Sequence, residues 1–170
     1  SAASDVYKRQ DLAGGRTLPA VAWQEDVTGA KDRLDHAATR LERQADALLL
    51  NGGKRHVRPG AGADGHIVSA SGPQGLALVW VPADTAGLTV SSQPLADGSY
   101  AAQIDLNHIR LPASYLLAEG QTAVAALTRA YDETLVMTSV ELLALVRSML
   151  SMTQDLSLIH ISEPTRRRGI

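Results

Sequence analysis

Ala77-Leu78-Val79-Trp80-Val81-Pro82, then Gly87-Leu88-Thr89-Val90, Asp97-Gly98, Ala102-Gln103-Ile104-Asp105-Leu106, Leu111-Pro112 and Leu117-Ala118-Glu119-Gly120 form the stretch whose reading decides the fold. Up to Leu111 the apolar runs are short and broken by Gly, Pro and Asp, the punctuation of strands. Within Tyr100 to Leu106, Ala102, Ile104 and Leu106 alternate with Ala101, Gln103 and Asp105, so one face is expected in a core and the other outside it. From Gly120 the period changes. Val124, Leu127, Tyr131, Leu135, Thr138, Leu142, Leu145, Met149 and Met152 recur at three- and four-residue steps, the spacing of one helix face.

Working outward, the same strand punctuation extends upstream. It predicts strands at Leu18 to Trp23, Ala37 to Arg43, Ala47 to Leu50, Lys54 to Val57, His66 to Ser71, Leu76 to Val81, Leu88 to Ser92 and Tyr100 to Leu111. Asn51-Gly52 between two runs predicts a tight hairpin turn, because both residues tolerate positive φ. Downstream, a helix of some thirty residues is expected. It carries a second apolar face, through Val136, Met137, Val140, Leu143, Val146 and Leu150. A helix apolar nearly all round is expected to be buried, which points to partner helices beyond this stretch.

These residues together resemble the acyl-CoA dehydrogenase family over roughly Leu18 to Asp155, including Leu48-Leu49-Leu50-Asn51-Gly52-Gly53-Lys54 and Ala61-Gly62-Ala63-Asp64-Gly65-His66-Ile67-Val68-Ser69-Ala70. The resemblance is divergent and similar to the small subunits of pimeloyl-CoA dehydrogenases. It implies an α+β chain: a mostly antiparallel β-domain, barrel- or sandwich-like, at residues 11–117, followed at 118–155 by the first helix of a truncated C-terminal helical bundle. Residues 1–10 and 156–170 resemble translated sequencing adapter, notably Leu156-Ser157-Leu158-Ile159-His160-Ile161-Ser162-Glu163-Pro164, and are expected to be non-native and poorly packed.

The resemblance also implies FAD and a reaction, the α,β-dehydrogenation of acyl-CoA thioesters in fatty acid metabolism. Electrons would pass to an electron-transfer flavoprotein, from a homo- or hetero-oligomer in the cytoplasm. In the family a Thr-Glu-Pro strand end and a Lys-x-Trp-Ile-Thr strand lie against the flavin ring. Here those segments read Val21-Ala22-Trp23-Gln24-Glu25-Asp26 and Lys54-Arg55-His56-Val57-Arg58-Pro59. Glu25 and Lys54 match; Gln24 and Arg58 stand where threonines are expected and His56 where tryptophan is. The cofactor-binding candidates are therefore Trp23, Gln24, His56 and Arg58, since Gln, His and Arg side chains can all donate to flavin nitrogens and oxygens. His56 and Arg58 fit a solvated strand face equally well. No catalytic residue is assigned: most members of the family carry the base late in the bundle, and Glu141, where a minority carry it, also suits an ordinary helix-face carboxylate. The eroded motifs leave open an alternative, a non-catalytic flavin- or CoA-binding paralogue in a heteromeric dehydrogenase.

Composition narrows the remaining classes. A length of 170 residues suits one domain with a core, and a net charge of −2 with interspersed signs argues against nucleic acid or an acidic membrane as main partner. No run approaches ~18 uninterrupted apolar residues, so no membrane span is expected. The absence of cysteine removes disulfides and thiolate metal sites, and His36, His66 and His108 lack paired ligand spacing, so no metal is expected. Abundant Ala, Leu and Arg fit a GC-rich bacterial genome. Gly60-Ala61-Gly62-Ala63-Asp64-Gly65 matches G-x-G-x-x-G, but it leads into a strand and not a helix, so a dinucleotide fingerprint is not expected.

Overall fold

The computed structural model describes residues 10–59 and 62–162, with side chains as far as Ser157. The adapter-like head up to Arg9, the tail beyond Ser162 and Gly60-Ala61 lie outside the described residues. Among the described residues eight strands form one sheet: β1 (Pro19–Ala22), β2 (Arg40–Gln44), β3 (Ala47–Val57), β4 (Gly65–Gly72), β5 (Gly75–Pro82), β6 (Leu88–Pro94), β7 (Tyr100–Pro112) and β8 (Leu116–Glu119). A 3-10 turn at Ala113–Tyr115 precedes β8, and helix α1 spans Gln121–Ser162. The sheet order is β6-β7-β3-β2-β4-β5-β8, with β1 added in parallel to β4. Every other ladder is antiparallel except the single Arg40–Ser71 contact between β2 and β4. The expected α+β layout is the observed one.

The alternation read from the sequence positions the core. Ala102, Ile104 and Leu106 of β7 are buried with Leu48, Leu50 and Val57 of β3, Val68 and Ala70 of β4 and Val79 and Val81 of β5. A second cluster, of Ala37, Leu76, Leu78, Ala123 and Leu127, takes Trp23, Leu34, Ile67 and Val124 at its margin. The chain divides into two compact units, up to Leu127 and from Thr128.

Two expectations are corrected. Asn51-Gly52 is no hairpin turn: Ala47–Val57 is one continuous strand. The β3–β7 pairing runs Leu50↔Ile109, then Gly52↔Leu106, so β7 carries an extra residue there. His108 adopts φ 48°, and its N–H donates to Asn51 Oδ1 at 2.8 Å, so the asparagine holds a β-bulge in place of a turn. Gly52 is required by close approach, because a Cβ there would lie 2.6 Å from Thr39 Oγ1. A second bulge follows, where Lys54↔Ile104 gives way to Val57↔Ala102 and the extra residue is on β3, with His56 at φ 55°. The two-residue hairpin lies instead between β2 and β3, at Ala45-Asp46, with Ala45 at φ 47°.

Next, α1 is longer than expected, 42 residues, and continues to Ser162 through part of the adapter-like tail. Ala123 and Leu127 join the second cluster, whereas further along Leu135, Val136, Met137, Val140, Leu142, Leu143, Leu145, Val146, Met149 and Leu150 are exposed, as befits a helix whose apolar faces await partner helices. Over Gln121–Ser157 it is long and apolar enough, by length and composition, to cross a membrane, because an averaged window tolerates the scattered Thr, Ser, Glu141 and Arg147 that break any uninterrupted apolar run.

Candidate functional site

The two eroded motifs run side by side. Gln24 C=O accepts the Arg55 N–H at 2.8 Å, which lays the segment after β1 along the second half of β3. Beneath this contact is a buried ion pair. Lys54 Nζ lies 2.6 Å from Glu25 Oε1 and donates to Ser69 Oγ at 2.9 Å, and its side chain is 0% exposed against 18% for Glu25. The Glu25 carboxylate also accepts the backbone N–H groups of Ala38 and, at 2.8 Å, Thr39. One carboxylate thus fastens β3 and the loop before β2, while Ser69 ties Lys54 to β4. Burial pushes the Lys54 ammonium below its usual range, with the Glu25 hydrogen bond and charge opposing it. Burial pushes Glu25 upward, but the bonds from Lys54 and Thr39 outweigh it together and hold the carboxyl below its usual range.

The loop following Glu25 is closed by Asp32, whose Oδ1 accepts the N–H groups of Glu25 at 2.8 Å and Asp26 at 2.9 Å. Two open grooves flank the ion pair, each of about 280 Å³. One is lined by Trp23, Glu25, Asp26, Lys31, Asp32 and His36 among others, the second by Thr39, Gly52, Gly53, Arg55, Gln103 and Asp105. On the second, Arg55 Nη1 donates to Gln103 Oε1 at 2.8 Å.

The four cofactor candidates occupy distinct settings. Trp23 is half-buried against the second core cluster and borders the first groove. Gln24 is half-buried and its amide makes a long 3.5 Å bond to Asp32. His56 is exposed at the β3 bulge, with Nε2 3.0 Å from Val27 C=O. Arg58 is exposed and pairs with Asp97 at 3.8 Å. The structure therefore brings Gln24 and His56 to one seam. Arg58 sits two residues further on and is held toward the loop before β7. Sequence reasoning missed Asp32 and Arg55. No local pattern marks Asp32, and Arg55 lay inside the quoted motif but at a position the family does not single out. Glu141 is exposed on α1. Among the described residues no group of His, Asp and Glu is arranged to hold a metal.

No protein-family model and no curated protein matches the chain. Solved structures do. An FAD-dependent dehydrogenase is 29% identical over 69% of this chain and 34% of its own, with TM-score 0.61. A glutaryl-CoA dehydrogenase from Mycobacterium smegmatis in complex with FADH2 is 30% identical over 69% of this chain and 31% of its own, with TM-score 0.57. A variant of a steroid ACAD aligns over 93% of this chain and 43% of its own at 18% identity, with TM-score 0.71, a likeness of fold alone. The chain has an acyl-CoA dehydrogenase-like fold, and it spans about a third of the length of the first two structures.

The donors at the seam, with Arg58 two residues beyond it, are of a chemistry that a flavin could use. Amide, imidazole and guanidinium groups of Gln24, His56 and Arg58 are all donors, which suits the acceptor-rich edge of the ring system. Two are exposed, and the Gln24 amide is committed only through a long bond.

Proposed function

We propose that this chain is the flavin-facing β-domain and first bundle helix of an FAD-dependent acyl-CoA dehydrogenase, an oxidoreductase acting across the α,β bond of acyl-CoA thioesters. The observation that carries the reading is the Gln24–Arg55 backbone contact, which lays the two motif segments together over the Glu25–Lys54 pair in a fold shared with FAD-dependent dehydrogenases. FAD would supply a hydride acceptor at its N5. Trp23 would offer an apolar wall, Gln24 and His56 would donate to the ring edge, and Arg58 would supply positive charge at the rim. The catalytic base is not assigned to a residue of this chain. The whole protein would assemble as a homo- or hetero-oligomer in the cytoplasm and pass electrons to an electron-transfer flavoprotein. On this reading the helix from Gln121 is the first helix of a bundle and not a membrane span, with Glu141 and Arg147 on its surface. A second reading, a non-catalytic paralogue, is favoured by the replacement of both threonines and the tryptophan of the family motifs.

With much of the ring left uncovered, FAD affinity should be weak, on the order of 0.1–1 mM. Titrating FAD into isotope-labelled chain, and following backbone amide shifts, tests the assignment. Shifts should concentrate at Trp23 to Val27 and Arg55 to Arg58, and Gln24→Ala with His56→Ala should remove them. Shifts centred elsewhere, or none near millimolar FAD, would refute it.

A further inference from the structure

Strand β6 ends the sheet, and among the described residues it pairs only with β7. Its register with β7 is regular throughout, from Leu88↔Leu106 to Pro94↔Tyr100. Asn107 N–H donates to Gly87 C=O at 3.0 Å, and Leu95 N–H donates to Ser99 C=O at 2.8 Å. In an antiparallel ladder these fix the phase: the odd-numbered residues of β6 bond to β7, and the even-numbered ones turn their backbone groups to the open edge. Leu88 N–H is already given to Thr85 C=O, and Pro94 has none. The edge therefore offers two donors, Val90 N–H and Ser92 N–H, flanked by capped positions.

Natural edges are blunted by charge, by bulges or by a covering element. From Leu88 to Gln93 this edge has no charged residue and no bulge, and all but Leu88 are exposed. The free donors also complement themselves. In an antiparallel pair centred on Ser91, Val90 of one copy faces Ser92 of the other, and each pair exchanges both hydrogen bonds, four in all. The cross-strand neighbours are then Ser91 with Ser91, Thr89 with Gln93 and Leu88 with Pro94, and no like charges meet. Pairing in the neighbouring phase would aim the backbone groups of odd-numbered residues outward, where they are already committed to β7.

We propose that β6 is a self-pairing edge through which a second copy of this chain docks across a two-fold axis at Ser91. So short a contact makes a weak association, well below the ~1,600 Å² of a standard interface.

Hydrogen exchange on the full chain at rising concentration tests this, because it reads association at the β6 edge amide by amide. Val90 and Ser92 amides should slow about tenfold or more between dilute and near-millimolar chain, while Thr89, Ser91 and Gln93 stay protected at every concentration. Val90→Pro removes one outward donor per copy without touching a β7 bond, and should abolish the concentration dependence. Ser91→Lys, an exposed change that sets two like charges face to face on the axis, should do the same if the proline variant fails to fold. Concentration-independent exchange at Val90 and Ser92, or slowing that survives Ser91→Lys, overturns the proposal.

Discussion

Replacing Glu25 by Gln removes the carboxylate that Lys54 touches and keeps an oxygen able to accept the Thr39 N–H. Lys54, fully buried, then keeps the Ser69 Oγ hydrogen bond but has lost its counter-ion. A buried ammonium without its counter-ion has an escape, which is to give up its proton. The cost of that escape is set by how far the solution lies below the ordinary lysine value of 10.5. Near pH 7 the gap of about 3.5 at ~1.36 kcal/mol per pH unit caps the penalty at about 4.8 kcal/mol, and near pH 9 the cap falls to about 2 kcal/mol. Breaking a buried pair from one side typically costs about 3–5 kcal/mol, so the cap limits the loss near pH 9 and scarcely at all near pH 7. We expect Glu25→Gln to lose about 3–4 kcal/mol near pH 7 and less than about 2 near pH 9, read from urea unfolding followed by Trp23 and Trp80 fluorescence. Lys54→Met should cost less near pH 7, because the remaining carboxylate keeps the Ala38 and Thr39 amides and some exposure. A Glu25→Gln penalty that is the same at both pH values would refute the reasoning.

Two further outcomes follow from the same interior. His66 is 1% exposed with Nδ1 lacking a hydrogen-bond partner, and burial pushes its pKa below the usual 6.5. The unfolded chain therefore takes up the proton first, so stability should be flat above about pH 6.5, fall as pH drops below it and level off at the folded-state value; His66→Leu should erase that slope in pH-dependent unfolding, and an unchanged slope would acquit the histidine. Gly52→Ala places a methyl 2.6 Å from Thr39 Oγ1 and 2.7 Å from Thr39 Cα at φ +150°, whereas Gly53→Ala meets its nearest atoms at 3.3 Å. Thermal unfolding should show the first costing at least about 3 kcal/mol and the second markedly less; equal losses would show that the loop at Thr39 yields freely.

Strand positions and the change to a helical period were legible because alternation and three-to-four spacing are local signals, as in Ile104 and Leu106 or Leu135 and Leu142. The Asn51-Gly52 misreading has a physical origin. The dipeptide favours positive φ, but what it meets here is tertiary: Thr39 packs on Gly52, and Asn51 Oδ1 takes the His108 N–H from the partner strand. The reverse holds at Ala45-Asp46, a two-residue hairpin without glycine or asparagine, formed because Arg40 to Gln44 and Ala47 to Asn51 pair in register on either side. At the site, the resemblance marked Glu25 and Lys54 as matching residues but not as partners, since nothing in their spacing shows that they meet. Asp32, eight positions from Gln24, carries no periodic signature at all.

The two bulges of the β3–β7 ladder have opposite sense. One inserts a residue on β7 near His108, the other inserts a residue on β3 near His56, and outside them the ladder resumes a common register, from Leu50↔Ile109 on one side to Val57↔Ala102 on the other. The intervening stretch, Gly52 to Lys54, behaves like a section of track laid one sleeper out of step between two matched points. A length change at one bulge alone would put every later residue of that strand on the wrong face. Compensated changes at both would leave the core untouched. The stretch between the bulges can thus change length at both ends together while the sheet on either side keeps its pairing.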